Sequence, residues 1–169
     1  GMIKTNDGGE SWVELESVKG FYRFNDIHFV NDLHGWAVGH QFETNYILSD
    51  VVAKTEDGGE TWIRMPIAQI STHSYYTSYP FCVFAFDNKQ AIFGGYWEKG
   101  LDENYSKHGF FAKTTNSGED WTIIFKELGN WPNDMQFYNS NRGLAIGLNN
   151  RFITTNGGRT WENQFEQAS

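Results

Sequence analysis

The 169-residue sequence predicts an all-β fold of β-propeller blades, about three and a half in number, each with four antiparallel strands. Two repeated patterns support this prediction. A short phrase, Thr-x-Asp/Asn-x-Gly-x-x-Trp, occurs four times, and a longer phrase of two short apolar strands occurs three times. Self-similarity at this spacing, in a chain rich in strand-forming residues, is typical of propeller blades and not of helical solenoids.

The four copies of the short phrase, which we call the repeat turns, occupy residues 5–12, 55–62, 114–121 and 154–161. Their closing tryptophans are separated by 50, 59 and 40 residues. Asp or Asn followed by Gly favours a tight turn, because the short side chain bonds nearby backbone N–H groups and Gly adopts positive φ without strain. The Thr ends one strand, and the Trp begins the next and covers the turn. We therefore expect a structural role in hairpins for Thr5, Asp7, Gly9, Trp12, Thr55, Asp57, Gly59, Trp62, Thr114, Asn116, Gly118, Trp121, Thr154, Asn156, Gly158 and Trp161.

The longer phrase occurs at residues 27–39, 83–95 and 135–147, each time as an alternating strand, a polar turn and a second apolar strand. Together the two phrases divide the chain into one propeller module, with a half blade at 2–16 and three blades at about 26–66, 80–126 and 134–165. The strands predicted are 2–5 and 12–16, then 26–31, 35–40, 51–56 and 61–66, then 80–87, 90–96, 109–115 and 120–126, and finally 134–139, 143–148, 151–155 and 160–165.

The repeat turns resemble the Asp-box, or BNR repeat, of sialidases, sortilin-like receptors, some xyloglucan-degrading enzymes and the photosystem II assembly factors. In those families the Asp-box is structural, so the resemblance implies fold maintenance for Asp7, Asp57, Asn116 and Asn156. The order of Ile27-x-Phe29, Gly-Trp-Ala-Val-Gly and a repeat turn is similar to the repeat of the photosystem II stability and assembly factors. That resemblance implies a scaffold for other proteins.

Composition argues against several classes of protein. The chain has 21 acidic and 13 basic residues, a net charge of −8, which disfavours a nucleic-acid partner because phosphates require a basic patch. No apolar run is long enough for a membrane span. The single cysteine, Cys82, has no partner for an internal disulfide and is expected to pack as a small apolar group. We expect no cofactor and no metal, since the acids of the repeat turns lack calcium-loop spacing.

The number of blades raises the question of how the ring is completed. Closed propellers have four to eight blades, and a partial ring exposes sheet faces and edges. Three answers remain open: the chain is a fragment of a longer protein, a homo-oligomer completes the propeller, or the half blade closes a small irregular ring. No secretory leader is recognisable, and Gly1 before Met2 resembles an expression scar.

Long connections predict the binding face. The segments 41–50, 67–79, 97–108 and 128–133 are long and irregular, and they leave the blades on the face opposite to the repeat turns. Their aromatic and acidic residues make a candidate binding face for a protein or a glycan, or else cap a thin core: Tyr75, Tyr76, Tyr79, Trp97, Glu98, Asp102, Tyr105 and Trp131. Three histidines in or beside these connections, His40, His73 and His108, lack the regular spacing of metal ligands.

Catalysis is not predicted. Sialidases require three arginines around the substrate carboxylate and a Tyr–Glu nucleophile pair. Of the five arginines here, Arg64 falls in an outer strand and Arg159 in a repeat turn. Glu98, Asp102 and Glu103 provide loop carboxylates, but carboxylates this close in sequence are usually solvated. The sequence therefore predicts a non-catalytic scaffold or binding module. The alternative is a carbohydrate-active protein, either a glycan-binding module or a relative of the sialidases and other glycoside hydrolases.

Overall fold

The structure is a computed structural model that describes residues 1–18, 23–43, 46–67, 76–99 and 106–165. Within these ranges all regular structure is β-strand, apart from one 3-10 turn at Glu16–Val18. The strands form one two-stranded and three four-stranded antiparallel sheets. The predicted fold class, an all-β chain of four-stranded propeller blades, is therefore confirmed. None of the described residues belongs to a helix with the length and apolar character needed to cross a membrane.

Each blade is a meander in which neighbouring strands follow one another along the chain. The half blade contains β1 (Ile3–Lys4) and β2 (Val13–Glu14). Blade 1 contains β3 (Arg23–Phe29), β4 (Gly35–Glu43), β5 (Tyr46–Thr55) and β6 (Ile63–Met65). Blade 2 contains β7 (Tyr76–Ala85), β8 (Ala91–Lys99), β9 (Ser106–Thr114) and β10 (Thr122–Leu128). Blade 3 contains β11 (Asp134–Phe137), β12 (Gly143–Ile146), β13 (Asn150–Thr154) and β14 (Glu162–Phe165).

Parts of three connections predicted as long irregular loops are strand in the described residues. The segments 41–50 and 97–108 continue the hairpins of β4 with β5 and of β8 with β9, which stay paired to their ends. Residues 41–43, 46–50, 97–99 and 106–108 are strand, so the prediction of loops was wrong for them. A projecting hairpin of alternating polar and aromatic residues has the amino-acid composition of a loop. Only the pairing between its strands distinguishes such a hairpin from a loop. In the segment 67–79, residues 76–79 belong to β7, so the prediction of a loop was wrong there, and residues 68–75 lie outside the described ranges. In the segment 128–133, Leu128 ends β10 and residues 129–133 form a connection as predicted.

The four repeat turns share one hydrogen-bond arrangement. In the first turn the Thr5 hydroxyl accepts a bond from the Gly9 N–H at 2.8 Å, and Asp7 Oδ1 accepts one from the Ser11 N–H at 2.9 Å. The equivalent bonds in the other three turns measure 2.9 or 3.0 Å. These bonds close the turn with the residues that the repeated phrase shares, so the phrase encodes its own geometry.

The hydrogen bonds of the second repeat turn stabilise the ionised carboxylate of Asp57. The hydroxyl and the backbone N–H of Thr61 both donate to Asp57, which lowers the pKa of Asp57 to about 2. The third turn departs from the others at two positions: Asp120 replaces a Ser or Thr, and Ser117 replaces a glycine and still adopts a positive φ of 65°. A side chain at this φ is strained, so the turn holds Ser117 in a conformation that glycine adopts freely.

The closing tryptophan of a repeat turn packs against the preceding blade. Trp161 of blade 3 stacks on Phe111 of blade 2, with ring centroids 4.2 Å apart. Trp121 of blade 2 meets Trp36 of blade 1 edge to face at 5.8 Å. Both tryptophans are buried, at 3% exposure for Trp121 and 7% for Trp161, whereas Trp12 of the half blade is 56% exposed. Within the described residues no blade precedes the half blade, which explains the exposure of Trp12.

Two apolar clusters hold the three blades together. The first lies between blades 1 and 2 and includes Trp36, Val38, Val83 and Phe93. The second lies between blades 2 and 3 and includes Cys82, which is fully buried as predicted for a small apolar group. Burial raises the pKa of the Cys82 thiol. Burial of these apolar side chains between neighbouring blades stabilises the ring segment.

The innermost strands β3, β7 and β11 lie side by side, and polar side chains connect the first two. Three side chains of β3 bond backbone groups of β7: Asn25 Nδ2 donates to the Pro80 carbonyl at 2.6 Å, Asp26 Oδ2 accepts from the Val83 N–H at 2.8 Å, and His28 Nδ1 accepts from the Ala85 N–H at 3.2 Å. Because Nδ1 of His28 accepts, the ring is neutral, and its partial burial lowers its pKa. Burial likewise raises the pKa of Asp26.

Candidate functional site

The β8–β9 hairpin of blade 2 projects beyond the matching hairpin of blade 3. Its strands remain paired to Lys99 and Ser106, whereas β12 and β13 of blade 3 are joined directly at residues 147–149. The connection 129–133 leads from blade 2 into blade 3 and lies against the side of the projecting hairpin. Gly109 permits this contact, because a Cβ there would lie 1.6 Å from the carbonyl oxygen of Asn130.

Three aromatic rings and one lysine meet where the projecting hairpin rises above blade 3, and we call Tyr79, Tyr96, Lys107 and Trp131 the aromatic corner. The Tyr96 ring lies 4.7 Å from the Tyr79 ring and 4.9 Å from the Trp131 ring, between centroids. The Lys107 ammonium lies 4.4 Å from the Tyr96 centroid and 5.8 Å from that of Trp131. All four residues are half-buried, so the corner has a solvent-facing surface.

Glu98 fixes the polar groups of the aromatic corner. Its Oε1 lies 3.3 Å from the Lys107 ammonium, and its Oε2 accepts a hydrogen bond of 3.4 Å from the Tyr79 hydroxyl. A partly exposed ion pair of this kind contributes at most about 1 kcal/mol to stability, so its main effect is orientation. The lysine is held over the rings, where cation–π attraction also favours it. The result is an apolar surface with one fixed cation and one fixed anion at its margin.

The predicted candidate binding residues do not form a single surface. Tyr79, Glu98 and Trp131 meet at or beside the aromatic corner. Trp97 lies on the opposite side of the β8–β9 hairpin, where it is buried between blades 1 and 2 and stacks on His108 at 4.3 Å. For Trp97 the alternative interpretation, a ring that covers the core, fits the structure.

The other four predicted binding residues are not part of the aromatic corner as the structure describes it. Tyr76 begins β7, and Tyr75, Asp102 and Tyr105 lie outside the described residues. Sequence reasoning missed two members of the aromatic corner, Tyr96 and Lys107. A signal for Tyr96 was present, because adjacent strand residues point to opposite faces and a buried Trp97 places Tyr96 on the other face. Lys107 had no such signal, since its position opposite Glu98 depends on the hairpin register.

The histidines and carboxylates of this face do not form a metal centre within the described ranges. No group of three His, Cys, Asp or Glu side chains there could hold a metal ion. His40 contacts Asn25 Nδ2 at 3.4 Å through Nδ1, and His108 contacts the Ser106 hydroxyl at 3.0 Å through Nε2. His73 lies outside the described residues. Burial lowers the pKa of His40, which favours its neutral form.

Asp50 is the most strongly perturbed acid in this region. It lies opposite His40 in the β4–β5 pairing and is buried, and no hydrogen bond satisfies its Oδ1. Burial raises the pKa of Asp50 to about 7, an effect that the Arg64 charge partly offsets. Arg64 bonds the Asp50 backbone carbonyl at 3.0 Å. Because Asp50 is buried, its ionisation is relevant to stability.

Comparison with known proteins extends the description of the fold. The sequence matches no protein-family model and none of the curated proteins. Among solved structures, the chain is similar to that of YCF48 bound to a D1 peptide, with a TM-score of 0.60 and 21% sequence identity. The similarity covers 92% of this chain but 43% of the YCF48 chain, so this chain spans less than half the length of that protein. At this identity the similarity concerns the fold, and that fold is the β-propeller.

Proposed function

We propose that this chain is a non-catalytic β-propeller scaffold that binds a protein partner through the aromatic corner. The observation that carries the proposal is the half-exposed group of Tyr79, Tyr96 and Trp131 with the oriented Lys107. Tyrosine and tryptophan are enriched in protein interfaces, because they contribute a large apolar area together with a polar group. A rigid projecting hairpin presents these rings with little loss of side-chain entropy on binding.

Two further observations support a protein as the partner. The similar solved structure is that of YCF48 bound to a peptide. The repeat turns and the longer phrase resemble those of photosystem II assembly factors, and that family acts on other proteins. These resemblances support a scaffold of the Asp-box type, in which the residues of the repeat turns have structural roles. The resemblance supports this role without assigning the chain to photosynthesis.

A glycan partner or a hydrolase has less support. Hydrolysis of a glycosidic bond requires two carboxyl groups on opposite sides of the bond. Of the three loop acids considered for that role, Glu98 is the only one among the described residues, and it is held by Lys107 and Tyr79. The aromatic surface suits stacking on sugars as well as on proteins, so binding of a glycan is an outcome that the experiment must distinguish.

The test is site-specific photocrosslinking in the source organism, followed by affinity measurement. A photoreactive amino acid replaces Trp131, and the same substitution at Trp12, an exposed tryptophan far from the corner, is the control. Crosslinking of one protein from position 131 and not from position 12 supports the proposal. The purified partner should then bind Tyr96→Ala and Lys107→Ala at least about tenfold more weakly than the wild type. Binding that is unaffected by both substitutions, or selective binding to a glycan array, contradicts it.

We also propose that the chain self-associates through the outer face of blade 3 and so extends the ring. Tyr138, Ile146 and Leu148 are exposed on this blade. The positions that match Ile146 and its neighbour Leu144 in blade 1, Val38 and Trp36, are fully buried against blade 2. Light scattering should show a species of about twice 19.4 kDa that Ile146→Asp converts to a monomer. A wild-type monomer at all concentrations contradicts self-association and leaves the aromatic corner untouched.

A further inference from the structure

Two titratable side chains of β3 hold blade 1 against blade 2. Asp26 Oδ2 accepts a hydrogen bond from the Val83 N–H at 2.8 Å. His28 Nδ1 accepts one from the Ala85 N–H at 3.2 Å, and the ring centroids of His28 and Phe84 are 4.3 Å apart. The acceptors therefore belong to side chains of blade 1 and the donors to the backbone of blade 2. We call this set of bonds the β3–β7 contact.

A second histidine supports the β3–β7 contact from β4. His40 is buried, and its Nδ1 lies 3.4 Å from Asn25 Nδ2, which also donates to the Pro80 carbonyl of β7 at 2.6 Å. An amide nitrogen is a donor, so Nδ1 of His40 is an acceptor, as Nδ1 of His28 is. This arrangement orients the Asn25 side chain for its bond to β7. Both histidines therefore contribute to the contact in their neutral form.

The equivalent contact between blades 2 and 3 has a different chemistry. The longer repeated phrase places Phe84 of β7 at the position that His28 has in β3. Phe84 packs against Phe137 of β11 with ring centroids 4.9 Å apart, and Phe86 packs against the same ring at 4.7 Å. These rings carry no ionisable group, so their packing does not depend on pH. A titrating acceptor at the first contact is thus replaced by an apolar ring at the second.

Protonation of His28 removes an acceptor and creates a charge at a half-buried position. A protonated Nδ1 directs its own N–H at the Ala85 N–H. Burial lowers the pKa of His28 below its ordinary value of 6.5, and the negative charge of Asp26 partly opposes that effect. The neighbours of His28 on β4 and β7, Trp36 and Phe84, carry no charge. The native state therefore disfavours the proton, and the contribution of His28 to the contact is lost as pH falls below 6.5.

His40 responds to acid in the same direction. Burial, and then the positive charge of Arg23, lower the pKa of His40. Arg23 lies opposite His40 in the β3–β4 pairing, and Asp50 lies opposite it in the β4–β5 pairing. From β7, the Tyr79 ring meets the His40 ring edge to face at 6.0 Å. Protonation of Nδ1 would set it against the amide hydrogens of Asn25, which disturbs the orientation of that side chain toward β7.

We propose that the β3–β7 contact is an acid-sensitive switch, which loosens when His28 and His40 gain a proton and leaves the contact between blades 2 and 3 intact. At neutral pH both rings accept hydrogen bonds and the two blades stay joined. After acidification each Nδ1 is a donor that faces another donor, so the bonds to Ala85 and, through Asn25, to Pro80 are weakened. This switch does not depend on the function proposed for the aromatic corner.

The test is native-state hydrogen exchange of the whole chain, followed by NMR between about pH 7.5 and about pH 5. Relative to the amides of β9, the protection of the Ala85 amide should fall at least about tenfold over this range. The imidazole nitrogen spectrum of His28 should show an unprotonated Nδ1 at the upper pH and a protonated Nδ1 at the lower pH. A protonated Nδ1 at the upper pH overturns the proposal.

Two variants separate the effect of His28 from other effects of acid. His28→Asn retains an acceptor oxygen close to the position of Nδ1 but does not titrate, so the protection of Ala85 should change less than about twofold. His34→Asn is the matched control, because the His34 ring contacts Asn31 of its own turn, and it should show the same fall as the wild type. Protection of Ala85 that is independent of pH in the wild type, or an undiminished fall in His28→Asn, overturns the proposal. So does a parallel loss of protection in β9, since the whole chain then unfolds.

Discussion

Replacement of Trp161 by alanine should destabilise the chain far more than replacement of Trp12, although both residues close a repeat turn. Trp161 is 7% exposed and Trp12 is 56% exposed, so they differ by about half of the side-chain surface. For a tryptophan this is roughly 120 Å², or ~3 kcal/mol at about 25 cal/mol/Å². Loss of the stacked contact of Trp161 with Phe111 at 4.2 Å adds about 1 kcal/mol. We expect a difference of ~3–4 kcal/mol between the two variants, within the range for truncation of buried aromatic residues.

The assay is urea unfolding of the wild type and both variants, followed by far-ultraviolet circular dichroism and by intrinsic fluorescence. Coincident transitions with unchanged slopes permit comparison of the free energies of unfolding. Because both substitutions alter the same kind of turn, Trp12→Ala measures the local cost and Trp161→Ala adds the contact between blades. Equal destabilisation of the two variants, or a change below about 1 kcal/mol for Trp161→Ala, would refute the packing argument.

Four other outcomes are expected. Burial raises the pKa of Asp50 to about 7, so this carboxyl binds its proton more tightly in the native state, and the contribution of Asp50 to stability should fall as pH rises from about 4 to about 7. Asp50→Asn should abolish that dependence, as measured by urea midpoints across the pH range. Ser117→Gly should raise the free energy of unfolding by ~0.5–1 kcal/mol by relieving the positive φ. Gly109→Ala should lower it by ~2 kcal/mol or more and shift the emission of the displaced Trp131, because its Cβ overlaps the connection 129–133. Cys82 should resist Ellman's reagent in native protein and react in urea, because its thiol is buried and its pKa raised.

The repeated phrases made the fold predictable from sequence. The repeat turn contains the side chains that close it, so Thr5, Asp7 and Gly9 predict their hairpin without any information from distant residues. The spacing of the tryptophans then predicts the number of blades. Because each turn is encoded locally, the fold class was predicted correctly, whereas the lengths of individual hairpins depend on strand pairing and were not.

The candidate site was only partly predictable, because its geometry depends on register between distant strands. Trp97 and Trp131 are equally aromatic in the sequence, yet one is buried between blades and the other belongs to the aromatic corner. The side of a strand on which a residue lies changes with a shift of one position. The contact of Trp131 with Tyr96 depends further on Gly109, whose lack of a side chain admits the connection 129–133. None of these relations is present in a local pattern of residues.

The bonds from β3 to the backbone of β7 impose different sequence constraints on the two strands. Asp26 and His28 must keep side chains that accept hydrogen bonds, and their partners are the N–H groups of Val83 and Ala85. A backbone N–H survives every substitution except proline. Mutational scanning of β7 should therefore tolerate many side chains of suitable size at 83 and 85, whereas β3 should tolerate few at 26 and 28. Sequence changes can therefore accumulate in β7 at this contact while β3 stays restricted. Related chains should differ more at positions 83 and 85 than at positions 26 and 28.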